Sequence, residues 1–179
     1  MSRARSFATR ALGAVTLGAA LAAAVACGDP VHDLQVEALG PEAPNVPPGP
    51  THRPGQPCVT CHEAAGPGKP AFRFGGTIYA VKGQADGLGG VTVHLVDATG
   101  ATLDAITNSV GNFYIAEASW NPVMPVHVSL EYKEQKAEMS THIGRNGSCG
   151  DCHFDPPGRS SPGRVYLVAD PEDLPGASP

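Results

Sequence analysis

The chain has few aromatic residues, with one Trp, four Tyr and five Phe among 179 positions. That excludes a large aromatic core and leaves a small aliphatic one. Cysteine is scarce as well. Five residues, four of them in two tight pairs, exclude a disulfide-rich scaffold. Basic residues are outnumbered, 12 Lys and Arg against 17 Asp and Glu, which argues against a nucleic-acid partner. No stretch carries a helical hydrophobic period, and no Ser/His/Asp arrangement, paired-carboxylate site or phosphate-cradling loop stands out. Glycine and proline are the abundant types, 22 and 18 residues, with most of the proline outside the middle. Such a distribution predicts a compact centre flanked by poorly ordered segments.

The strongest chemical statement is a pentapeptide that occurs twice. Cys58-Val59-Thr60-Cys61-His62 returns as Cys149-Gly150-Asp151-Cys152-His153. Cys-x-x-Cys-His reads as a site of covalent c-type haem attachment. Two thiols three positions apart reach the two vinyl groups on one porphyrin edge, and the adjacent imidazole is placed to ligate the iron. Cys58, Cys61, Cys149 and Cys152 are therefore the expected covalent attachment points for two c-type haems, with His62 and His153 as proximal iron ligands. A histidine also precedes each motif, in THRPGQPCVTCH and THIGRNGSCGDCH, so His52 and His142 are candidate distal ligands. His94 and His127 fall on the polar phase of their strands and read as surface side chains. Met124 and Met139 read as packing, and His32 has no assigned role.

The same residues permit another chemistry. Two Cys-x-x-Cys pairs suffice for a four-thiolate zinc site, or for disulfides, in a lipid-anchored binding or structural module. Zinc leaves both adjacent histidines unexplained, and an exported Cys-x-x-Cys tends to oxidise. A thioredoxin-like pair would need a βαβ context that the sequence lacks. With no sign of a substrate pocket, electron transfer is the favoured role over enzymatic catalysis.

Residues 1–26 read as a signal for export, with Arg3, Arg5 and Arg10 before an apolar run from Ala11 to Ala26. No Arg-Arg pair supports the twin-arginine route. Ala24-Val25-Ala26-Cys27 resembles the lipobox of bacterial lipoproteins, with Ala24 where that family usually carries leucine. The resemblance implies lipidation of Cys27 and a membrane partner. Gly28 in place of aspartate leans towards the outer membrane, facing the periplasm or the cell surface. Removing the signal leaves nine basic against 17 acidic residues, a net charge of −8. A redox protein partner would accordingly present a basic docking face.

Residues 27–57 are rich in proline and read as an extended tether, up to ~90 Å at about 3.1 Å per residue. Residues 58–70 hold the first motif and a bridge. Residues 71–141 read as a β-sandwich, 142–170 as the second motif with a final strand at 164–168, and 171–179 as a tail. Val91 to Leu95 and Val126 to Leu130 alternate apolar with polar, as half-buried strands do. Phe72 to Ala80 reads as one strand, and 101–107, 112–117 and 134–141 are shorter candidates separated by Gly-containing turns. The expected fold is mainly β, a small antiparallel β-sandwich of about six to seven strands. Six strands between the motifs would return the chain to its starting end, which predicts that the two motifs meet.

The run from Gly75 to Ile115 resembles the carboxypeptidase-regulatory, transthyretin-like sandwich domains. Thr107, Gly111 and Phe113 match that family's "T-x-x-x-G-x-F" signature. The resemblance covers about residues 72 to 141 and implies a fold rather than an activity. Similarity to di-haem c-type cytochromes is confined to the two pentapeptides.

Overall fold

The computed structural model describes residues 29–174. The expected signal, the lipidation site Cys27 and the last five residues lie outside the described residues. The chain divides into two compact units, one ending at Ala38 and the other beginning at Leu39.

The described part of the first unit is a helix, α1 (Pro30–Ala38), in place of an extended tether. The cause is local. Asp29 Oδ1 accepts the N–H groups of Val31 (3.0 Å) and His32 (3.2 Å), capping the helix. Pro30 occupies the first turn, where its missing N–H costs nothing. Residues 31–40 carry no proline, a gap that the average composition of residues 27–57 hides.

The remaining residues of the expected tether, 39–57, contact the sandwich. Residues 39–57 are pinned to the sandwich by side chains from it. Asn112 Nδ2 donates to the carbonyls of Pro50 (3.2 Å) and His52 (2.9 Å), Asn108 Nδ2 donates to Pro50 O (2.6 Å), and Gly55 N–H donates to Thr77 Oγ1 (2.7 Å). Arg53 gathers the segment on itself, donating to Glu42 Oε2, Gln56 Oε1 and the carbonyls of Leu39 and Gly40.

The second unit is a mainly antiparallel β-sandwich. Its strands are β1 (Phe72–Thr77), β2 (Tyr79–Val81), β3 (Thr92–Val96), β4 (Thr102–Ile106), β5 (Asn112–Ala116), β6 (His127–Tyr132), β7 (Gln135–Glu138) and β8 (Tyr166–Val168). One sheet runs β4-β3-β6-β7; β1 pairs antiparallel with β5, and β2 pairs parallel with β8. Val93 and Leu95 of β3 point inward against Phe74, Phe113, Ile115 and Leu130, while His94 faces outward. The expected single strand over Phe72 to Ala80 breaks at Ile78, whose N–H is taken by Gly111 O rather than by a strand partner. Counted as one run, β1 and β2 keep the number of excursions between the motifs at six. Thr107 and Phe113, two positions of the sandwich-domain signature, are buried; Thr107 Oγ1 accepts Val91 N–H and donates to Leu88 O.

Asp97, just after β3, is a buried carboxylate that its surroundings fully satisfy. Thr99 donates its hydroxyl (2.6 Å) and N–H (2.8 Å) to Oδ1, Ala101 N–H joins them, and Val123 N–H donates to Oδ2. These donors, the Thr99 hydroxyl foremost, hold the Asp97 carboxyl down from 3.8 to about 2. A depressed folded-state pKa stabilises the fold above the unfolded value, and that contribution is lost as pH falls through the folded one. Acid unfolding should therefore steepen between pH values of about 4 and about 2. Asp97→Asn should lower the melting temperature at neutral pH and flatten that acid limb, as followed by circular dichroism.

Candidate functional site

Both pentapeptides fold as single helical turns, α2 (Cys58–His62) and α3 (Cys149–Cys152). A helical turn brings residues three apart towards one face, as a haem attached through both thiols of a motif would require. Both turns pack on β1. A Cβ added to Gly75 would fall 3.0 Å from Cys58 Cβ and 3.5 Å from its Sγ. One added to Gly76 would fall 2.6 Å from Cys149 Cβ and 2.7 Å from its Sγ. Beyond β1 the two segments touch directly, because a Cβ on Gly150 would stand 2.8 Å from the backbone of Gln56 and Pro57. The two motifs do meet, one on each face of strand β1.

Four thiols stand in this region and none is bridged. Burial pushes the Cys58 thiol up to about 11 and the Cys149 thiol up to about 12, where a charge on Cys58 would add to the effect. Both are therefore neutral at physiological pH. A c-type haem held here would be joined to each thiol by addition of S–H across a vinyl C=C bond, which involves no net oxidation, and the two buried thiols would have to be exposed to it first.

The two histidines are alike in one backbone contact. His62 is buried, with its ring stacked on Phe72 (centres 4.0 Å apart, planes within 1°) and Phe72 stacked in turn on Tyr114 (4.4 Å). Its Nδ1 lies 2.9 Å from Pro70 O. A carbonyl can only accept, so Nδ1 carries the proton and Nε2 is left with its lone pair. His153, half-buried, repeats the backbone contact alone, with Nδ1 3.0 Å from Gly163 O. The loop that returns this carbonyl is tied by Ser161, whose hydroxyl donates to Phe154 O (2.6 Å) and accepts the N–H groups of Phe154 and Gly163. Each imidazole thus has one nitrogen fixed by backbone and the other available to a metal, which is how metal-ligating histidines are usually oriented.

His52 stands edge-on to His62, with ring centres 5.9 Å apart. Both rings, with Cys58, Cys61, Phe72 and Tyr114, line a cavity of about 490 Å³, within the range of cofactor sites. His142 has a different neighbour, the ring of His127 at 5.4 Å, and His127 Nε2 lies 3.2 Å from Glu138 Oε1 on the outer sheet face. His94 Nδ1 contacts the Asp104 carboxylate across β3 and β4. Met124 packs against the core.

Three features of the site have no place in the sequence-based expectations. The Gly75-Gly76 pair reads as ordinary strand, although glycine inside a strand often marks close backbone approach. The loops after the motifs, with Pro67 and Pro70 in one and Pro156, Pro157 and Pro162 in the other, read as connections. Their shared Gly/Pro content is the available signal for a second repeat. The Phe72–Tyr114 stack joins residues on paired strands and has no sequence signature.

No family model, no curated protein and no solved structure matches the chain.

Proposed function

We propose that this chain is an exported, lipid-anchored electron-transfer protein that carries two covalent c-type haems. The observation that carries the reading is the matched pair of hydrogen bonds, His62 Nδ1 to Pro70 O and His153 Nδ1 to Gly163 O. Random surface histidines have no reason to share this geometry. Two histidines that must each present Nε2 to an iron do. Haem c, once bound, supplies a one-electron iron couple. The chain's own part is to fix two thioether positions, to orient each imidazole, and to wall the first site with Phe72, Tyr114 and the 39–57 segment. Cys27 would hold the protein at a membrane, and the acidic mature chain would meet a redox partner with a basic face.

The alternative is a binding or structural module whose paired Cys-x-x-Cys motifs bind zinc or form disulfides. It is less well supported. A zinc site would leave the two carbonyl-fixed imidazoles without a task. The experiment is a pyridine haemochrome assay on protein matured with a c-type haem attachment system. About two covalent haems per chain are expected; colourless protein carrying stoichiometric zinc would replace the cytochrome reading with the alternative.

A further inference from the structure

His52 and His142 stand at similar offsets before their motifs, yet the backbone holds them differently. His52 is kept beside the first site. Its carbonyl accepts Asn112 Nδ2 (2.9 Å), its N–H donates to Gly49 O (3.1 Å), and its ring faces His62 across the shared cavity. Two imidazoles bound to one metal at about 2 Å each have ring centres about 6 Å apart. The observed 5.9 Å fits that span. His52 Nδ1 is buried, makes no hydrogen bond, and lies 3.4 Å from the Glu42 carboxylate, which Arg53 holds in place. A proton on Nδ1 would face Glu42 and leave the Nε2 lone pair for a metal.

His142 is anchored on the other sheet. The next residue, Ile143, exchanges both backbone hydrogen bonds with Val126 at the start of β6 (2.8 and 2.9 Å). Four residues further on, Gly147 O accepts Gly75 N–H (3.0 Å), so the chain has crossed to β1 before α3 begins. The His142 ring accordingly sits with His127, while His153 is held by Gly163 O, next to an exposed Cys152 and an exposed Phe154.

We infer that the two irons are inequivalent: His52 caps the first, and the second keeps its sixth position open to a small neutral ligand from solution. The inference rests on the two-haem reading and adds a ligand-binding activity to it. The ligand class is neutral because a reduced haem iron takes neutral small molecules.

The test uses the haem-loaded full chain. Haem content is counted first by pyridine haemochrome, so that failure to attach two haems is separated from failure of this inference. Carbon monoxide is then titrated into the dithionite-reduced protein. About one CO per two haems is expected for the wild type and for His142→Ala, rising to about two for His52→Ala. The oxidised wild type should show one low-spin and one high-spin electron paramagnetic resonance signal, and the high-spin signal should double in His52→Ala. Two haems with no CO bound, or with two bound in the wild type, would overturn the inference, as would a CO count that rises in His142→Ala. A melting curve for each variant, together with its haem count, separates loss of a ligand from loss of the fold.

Discussion

If the chain carries two covalent haems as proposed, Gly76→Val is expected to cut its haem content from about two to about one, with the loss at the second motif. Any side chain at this position starts 2.6 Å from Cys149 Cβ and 2.7 Å from its Sγ, and Phe113 closes the same space at 3.3 Å. Cys149 cannot yield towards the core, so α3 must lift from β1 and carry both of its thiols away from the site. Overpacking of this kind costs about 1–3 kcal/mol, little enough for the sandwich to persist. Gly75→Ala provides the graded comparison. Its Cβ would meet Cys58 Cβ at 3.0 Å and Sγ at 3.5 Å, a contact that a small shift relieves. It should keep both haems. The measurement is the haem-to-protein ratio of each variant, followed by peptide mapping to locate the unmodified cysteines. Loss from the first motif in Gly76→Val would contradict the placement of α3.

Phe74→Ala is expected to destabilise the folded unit by about 3–5 kcal/mol, the usual cost of deleting a buried aromatic ring. Phe74 is 1% exposed and packs near Trp120, with ring centres 5.8 Å apart. Its ring also lies under Gly147, whose carbonyl holds the second motif's segment to β1. A loss of this size is a large share of the roughly 5–15 kcal/mol that keeps a domain folded. Chemical denaturation should show the lowered midpoint, and haem content should fall at both motifs because both rest on β1. Tyr114→Ala is the contrast. That ring is 46% exposed, and its removal should change the midpoint much less than Phe74→Ala does.

The sandwich is legible in the sequence because its strands keep a period of two wherever one face is buried. Val93 and Leu95 against His94, and Phe113 and Ile115 against Tyr114, show this in the structure as they do in the sequence. The meeting of the motifs is also within reach, since it needs only a count of excursions. Proline density misleads in the segment before the first motif. It describes the average backbone of residues 27–57, whereas Asp29 and Pro30 start a helix and Asn108, Asn112 and Thr77 capture the rest from distant positions in the chain. Side-chain capture over such separations leaves no local pattern. The same applies to the Pro70 and Gly163 carbonyls, since any residue supplies a carbonyl and only the folded loop determines which one reaches the imidazole. Repetition upstream of the motifs points to His52 and His142 as equivalents. Backbone pairing of Ile143 with Val126 separates them.

The central claim is that each helical turn on β1 carries a haem through both of its thiols. It is tested most directly on full-length protein matured with a c-type attachment system, extracted with acidified acetone and then treated with a thiol alkylating reagent. Two haems should remain on each chain through extraction, and Cys58, Cys61, Cys149 and Cys152 should all resist alkylation. A chain that gives up its colour to the solvent and alkylates at all four positions would contradict the claim.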